Sequence, residues 1–379
     1  MKKNKQQNCK AHILAILTTL TLLLTACTPP PQSPTDFITQ SATRHGGQVS
    51  GMAIRVFTHD ELLFENFYGY ANEADGLTVQ SDTVFKWGSI TKSLTWIAIL
   101  QLMEEGALDI HADIRTYIST DFLPELKYPT TVYHLMTHSS GFIERDFFWY
   151  RELAPILEPP QGMTLIAYAL RSMDMRQRLE PGGASGEYSH YNVVLASYIV
   201  EQVSGIAFYE YVHEYIFGRL GMEYAALLND FAENAWIVSQ LDRQVCYLAA
   251  DRLFEAECFG MHRVVRQQFY MIGGAVSVVS DFHRFAMALM PFDNGYSLFE
   301  NDETLLKLHR LFGYEIAAYT DDESGVFALN GQMCHTSTVL IDIQRGMGVV
   351  VMTNQEGEGF FNRVSFLREV VERFGNVKI

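Results

Sequence analysis

Cations are scarce in this sequence: 28 Lys and Arg stand against 44 Asp and Glu, a formal charge of −16. A phosphate-binding surface needs clustered cations, so nucleic acid is excluded as a partner. Cysteine is scarce too, with five in 379 residues, and none stands with histidine at a spacing that suggests zinc. There is no internal repeat, no low-complexity segment past residue 35, and no apolar run long enough to cross a bilayer comfortably. What remains is 48% hydrophobic, enough for one large two-lobed domain or two small ones.

The N-terminus reads as an export leader. Lys2, Lys3, Lys5 and Lys10 precede a short apolar run from Ile13 to Leu24, and LTAC ends at Cys27. A cysteine straight after small residues resembles the lipobox of bacterial lipoproteins, which implies removal of residues 1–26 and a lipid anchor on the Cys27 thiol. An uncleaved membrane anchor is the competing reading. Thr28, where Asp is absent, implies by the same resemblance an outer-membrane destination in the cell envelope, facing the periplasm or the exterior. Residues 27–36 carry TPPPQSPT, which holds neither helix nor strand ladder and reads as a stiff tether to a folded domain over 37–379. Without the leader's four lysines, 24 basic residues face 44 acids, a formal charge of −20. Cys246 and Cys258 either close a short disulfide loop or, like Cys334, are buried free thiols.

Along the domain, QVSGMAIRVF and LLFENFYGYAN read as two strands of an edge hairpin turning at Thr58 to Glu61. From Ile90 to Glu105 the apolar residues Leu94, Ile97, Leu100, Leu102 and Met103 recur at helical spacing, so Ser89 begins a helix that follows a short loop. Residues from about 107 to 270 alternate helical patterns with Pro- and Gly-marked breaks and form a helical lobe. GGAVSVVSDFHRFAMALM then reads as a helix capped by Ser280 or Asp281. VFALNG, HTSTVLID and MGVVVMTN are three β-rich runs, followed by a helix from about Phe361 to Phe374. The expected fold class is α+β: an antiparallel sheet lobe flanked by helices, about 45–106 and 271–379, around an inserted helical lobe, with a cleft between them.

In FKWGSITKS, Ser89 and Lys92 lie one helical turn apart on one face. A hydroxyl becomes a useful nucleophile when a base takes its proton, and a buried lysine can be that base. A bare Ser-x-x-Lys pair is weak evidence, since a helix-capping serine followed by a solvated lysine has the same spelling. The surroundings decide. The runs TVFKWGSITKSLTWIAILQLMEEGALDI, TVYHLMTHSSGF, PGGASGEYSHYNVVLASYIVEQVSG, FYEYVHEYIFGRLGM and GGAVSVVSDFHRFAMAL resemble, in order and spacing, the β-lactamase-related serine hydrolases. That group includes class C β-lactamases, D-alanyl-D-alanine peptidases and related esterases, and the likeness covers about residues 45 to 355.

The resemblance implies a β-lactamase/transpeptidase-like fold, Ser89 as acylated nucleophile, Lys92 as its activating partner and Tyr188 as proton shuttle. It implies no cofactor, and a small-molecule or peptide substrate carrying an ester, amide or lactam. His190 stands where the family has an asparagine that contacts substrate, and it titrates near neutral pH. Asn192 reads as a loop-fixing residue. The third motif, Lys-Thr-Gly or His-x-Gly in the family, falls at Leu329-Asn330-Gly331 or one residue earlier; a rival register uses His335-Thr336-Ser337. In the first, Gly331 lets substrate lie close to the strand, and a neighbouring backbone N–H joins that of Ser89 in an oxyanion hole. His134 and His138 are spaced i, i+4, but the glutamate of a zinc-protease helix is missing, so no metal is implied. Against the enzyme stands a catalytically impaired relative that binds cell-wall peptides or a protein partner.

The lipobox reading is tested by Cys27→Ala. The variant is expected to leave the membrane fraction and to change in N-terminal mass; unchanged fractionation and mass would refute it.

Overall fold

A computed structural model describes residues 33–46, 50–119, 126–143, 161, 163–172, 177–182, 188–227, 235–244, 247–248, 252–253, 270–312, 318–321, 325–333, 335–356 and 364–375. Cys27, Cys246, Cys258 and Cys334 lie outside the described residues, as do the leader and most of the tether. The chain divides into a short unit, Met1–Ser41, and a large one, Ala42–Ile379. A helix, Pro34–Gly46, begins inside the segment expected to be extended. The reason is local: Pro34 takes the first helical position, where its missing N–H is no loss, and Ser33 Oγ accepts the Asp36 N–H at 3.0 Å.

The strands of the large unit are β1 Gly51–Thr58, β2 Leu62–Asn72, β3 Leu77–Thr78, β4 Phe85–Lys86, β5 Ala225–Leu227, β6 Tyr247–Leu248, β7 Arg252–Leu253, β8 Ala275–Ser277, β9 Ala318–Asp321, β10 Val326–Met333, β11 His335–Asp342, β12 Met347–Thr353 and β13 Gln355–Glu356. Seven form the main antiparallel sheet in the order β3-β2-β1-β12-β11-β10-β9, so both ends of the domain build it. The β1–β2 turn closes where the sequence places it, with Thr58 Oγ1 accepting the N–H groups of Asp60 and Glu61. Every residue of β11 and β12 is buried. Side chains alternate faces along a strand, so both faces of the sheet centre are covered. Helices Val279–Ala288 and Val364–Gly375 both contact β12.

Helix Lys92–Glu104 is buried from Lys92 through Leu102, the condition of a helix packed on all sides. It lies against helix His190–Ser204, with Thr95 Oγ1 3.0 Å from Ser197 Oγ. The helix at Val279 departs from expectation in its cap. Val278 is the N-cap and no side chain caps it; Asp281 instead accepts the Tyr224 N–H at 2.6 Å. Asp281 is thus tied to a distant segment, which sequence proximity does not reveal.

A small sheet, β4-β8-β5, holds the approach to Ser89. Trp87 follows β4: its backbone N–H donates to Ala275 O at 2.8 Å and its indole N–H to Ser277 Oγ at 2.8 Å. Its ring sits among Phe217, Phe282 and Phe285 at centroid distances of 4.8–5.8 Å. Beyond it, the turn at Gly88 meets β10 backbone to backbone. A Cβ on Gly331 would fall on the Trp87 carbonyl oxygen, and one on Gly88 (φ +56°) would lie 2.5 Å from Gln332 N. Only glycine fits either place.

Gly331→Ala is expected to lower stability by ~1–3 kcal/mol, the usual range for an added carbon in filled space. Denaturant titration reads this as a lower midpoint; an unchanged midpoint would mean that strand and turn are not in contact.

Candidate active site

Ser89 lies in a 3₁₀ turn, Gly88–Thr91, that runs directly into helix Lys92–Glu104. With three residues per turn, positions i and i+3 eclipse. Lys92 therefore stands over Ser89, and its Nζ donates to Ser89 Oγ at 2.8 Å. Lys92 is 1% exposed. An ammonium withdrawn that far from water needs oxygen acceptors, and the second is the Ile272 carbonyl at 2.8 Å, from the short helix Tyr270–Gly273. Thr91 fastens the same segment, since its Oγ1 accepts the Ala275 N–H at 3.1 Å.

The third group comes from the helical lobe. Tyr188 OH donates to Ser89 Oγ at 3.3 Å, and Lys92 Nζ lies 5.2 Å from the centroid of its ring. Serine oxygen, lysine nitrogen and phenol thus converge on one point, the start of a buried helix whose N-terminal end favours negative charge. The arrangement can pass a proton among three groups while Ser89 Oγ attacks an electrophile.

His190 is the first residue of helix His190–Ser204 and meets the Tyr188 ring edge-on, at 5.2 Å and 85°. Asn192 is fully buried; its Oδ1 accepts from Ser140 Oγ at 2.6 Å. Gly331 abuts the Ser89 turn, so the first of the two registers lies beside Ser89. Asn330 is half-buried and its Oδ1 accepts from Thr338 Oγ1 across the strand pair at 2.9 Å. Leu329 is 3% exposed and belongs to the hydrophobic core. In the rival register, His335 Nδ1 accepts the Lys86 N–H at 3.1 Å and Ser337 Oγ donates to Lys86 O at 2.7 Å, so these side chains hold β4.

The two histidines of HLMTH part company. His134 closes a capping box with Thr131, accepting its N–H at 3.2 Å, and burial with nearby His111 lowers its pKa. His138 is turned inward at 3% exposure, with φ of +51°. Helix Val132–Met136 ends there in a Schellman closure, Ser139 N–H to His134 O and His138 N–H to Leu135 O. His138 occupies the left-handed position that usually belongs to glycine, at a cost of roughly 1–2 kcal/mol for a residue with a Cβ. Sequence reasoning set His138 aside as a metal ligand and did not connect it to Tyr188. It also missed Ile272, whose part is played by a backbone carbonyl that no side-chain pattern marks.

Over residues 39–371 the chain matches the family described as Beta-lactamase. It is similar to Esterase EstB of Burkholderia gladioli, 28% identical over 183 residues that cover 45% of each chain. It is also similar to a D-aminopeptidase of Gluconobacter oxydans, 32% identical over 182 residues, 47% of this chain and 32% of that one. The matched stretch therefore spans less than half the length of these curated relatives. Among solved structures, the octameric penicillin-binding protein homologue from Pyrococcus abyssi superposes with a TM-score of 0.68 at 22% identity, covering 89% of this chain and 76% of that one. The Beta-Lactamase/D-Alanine Carboxypeptidase from Pseudomonas syringae gives 0.62 at 17% identity, covering 89% and 98%. At such identities these structures speak for the fold, which is the mixed α+β fold of β-lactamases and transpeptidases. With the family match running through nearly the whole of the large unit, the chain belongs to the Beta-lactamase family of penicillin-binding-protein-like serine hydrolases.

Proposed function

We propose that the protein is a serine hydrolase that forms an acyl-enzyme on Ser89 from a small ester, amide or lactam. The observation that carries this is the 2.8 Å contact between buried Lys92 Nζ and Ser89 Oγ, with the Tyr188 phenol 3.3 Å from the same oxygen. Lysine serves as base in its neutral form, and withdrawal from water works against the charged one. Ser89 Oγ attacks the carbonyl carbon as its proton passes to Lys92, directly or through Tyr188. The oxyanion is held by the N–H groups of Ser89 and Gln332, the latter bordering Gly88. The tetrahedral intermediate collapses, the bond to the leaving oxygen or nitrogen breaks, and the proton goes to the leaving group. Water then adds to the acyl carbon, the acid departs, and the proton returns to Ser89. No step calls for a metal or cofactor.

Mass spectrometry after a fluorophosphonate probe is expected to find the adduct on Ser89. Lys92→Ala is expected to slow labelling by about 10² or more. An unlabelled wild type across the pH range would favour the second reading, an impaired relative that binds cell-wall peptides, which draws on Leu329 and His190 at two motif positions.

Leu329 also bears on substrate. A cation on β10 would form a charge-assisted hydrogen bond to a substrate carboxylate, worth about 1.5–3 kcal/mol, or roughly ten- to hundredfold in kcat/KM. Lacking it there, the enzyme is expected to prefer uncharged short-chain esters over a chromogenic cephalosporin by about that factor. Leu329→Lys, in a preparation with wild-type near-ultraviolet dichroism, narrows the gap. Efficient cephalosporin turnover by the wild type would overturn this preference. The similarity to an esterase and to a D-aminopeptidase supports an ester or amide substrate.

The same reading places the domain on a lipid tether through Cys27 in the bacterial envelope. Among the described residues no helix is long and apolar enough to cross a membrane.

A further inference from the structure

We propose that His138 is a positioning residue that aims the Tyr188 phenol at Ser89, an inference that rests on the proton route proposed for Tyr188. The imidazole makes two kinds of contact with the Tyr188 segment at once. Its Nδ1 accepts the N–H of Ser189, the next residue along, at 3.2 Å, and lies 3.2 Å from Asn192 Nδ2. Its ring packs against the phenol ring in a tilted contact, with centroids 4.7 Å apart and planes inclined by 32°. Accepting at Nδ1 puts the proton of the neutral ring on Nε2.

The same ring also meets Trp96 edge-on, at 6.1 Å and 77°. Trp96 lies on the buried helix one turn beyond Lys92, so His138 is wedged between the helix that carries Lys92 and the segment that carries Tyr188. A change in that wedge moves the phenol relative to Ser89 Oγ, and the bond to be kept is 3.3 Å long.

His138 is also the one non-glycine residue with positive φ among the described residues. Glycine in that place would relieve the backbone but supply neither acceptor nor ring. Asparagine tolerates the left-handed region and puts Oδ1 where Nδ1 stands, yet has no ring to lay on Tyr188. A phenylalanine would restore the stack and leave the Ser189 N–H without its acceptor. Only histidine meets all of these demands, which is the reason to assign its strained placement to the site.

The test separates ring from acceptor. With p-nitrophenyl acetate as substrate, His138→Asn is expected to lower kcat about tenfold, and His138→Gly about a hundredfold, the scale of small misplacements near a reacting centre. KM should stay within about twofold, because no contact to bound substrate is removed. The decisive measurement is a double-mutant cycle read as the rate of Ser89 labelling by a fluorophosphonate. In a Tyr188→Phe background, His138→Asn should cost nothing further, since no phenol remains to be aimed. Equal losses in both backgrounds, or a wild-type kcat for His138→Asn, would overturn the proposal. If His138→Gly does not fold, His138→Asn alone carries the test. A wild-type rate for Tyr188→Phe itself would sink the phenol route together with this inference, a pattern distinct from an inactive Tyr188→Phe beside an additive His138→Asn, which sinks the inference alone.

Discussion

The placement of Lys92 constrains everything around it. Lys92, at 1% exposure, needs oxygen acceptors for its nitrogen, and here one comes from close by in the chain and one from far away. Ser89 supplies one from the turn before the helix; Ile272 supplies another from a segment 180 residues further on. To bring Ile272 there, β8 must pair with β4, Thr91 must take the Ala275 N–H, and Trp87 must reach both Ala275 and Ser277. The small sheet beside the Ser89 turn is thus the frame that brings the Ile272 carbonyl to one nitrogen. Disturbing any part of it would leave a charge-bearing group buried among poorly matched neighbours.

The second constraint is closeness of backbones. Gly88 and Gly331 allow the Ser89 turn and β10 to approach without intervening side chains. Leu329 and Asn330, by contrast, are absorbed by the fold: one by the core, the other by Thr338. On the reading that takes Leu329-Asn330-Gly331 as the third motif, the strand has the glycine's close approach and no cation at Leu329.

Much of this was readable in advance because it depends on short-range pattern. The β1–β2 hairpin, the strands β10 to β12 and the i, i+3 pairing of Ser89 with Lys92 follow from alternation, turn residues and helical pitch. Of the two registers for the third motif, the sequence pattern prefers Leu329-Asn330-Gly331, because the rival would erase the turn between two strands; the fit of Gly331 against Trp87 needs three-dimensional contact to be seen. The start of helix Pro34–Gly46 was misread because proline's veto on helices lapses at the first position. Asp281 was misread as a cap because its partner, Tyr224, is far away in sequence. His138 and the Ile272 carbonyl were invisible for different reasons: the His138 imidazole meets Ser189 and Tyr188 from far away in the sequence, and the contact of Ile272 is made by a main-chain atom, which no residue type announces.

The order of strands has a consequence for how the protein comes into being. β1 pairs with β12, Met52 opposite Thr353 and Thr58 opposite Met347, so the middle of the sheet joins segments roughly three hundred residues apart, a late and slow kind of contact to form. Until the last part of the chain is available, the β1–β2 hairpin presents an open edge, and MGVVVMT, the wholly buried strand that closes it, has yet to arrive. A nascent or threading chain therefore has no finished sheet to unravel. Loss of a few dozen residues from the C-terminal side would remove the centre of the sheet and leave its margins.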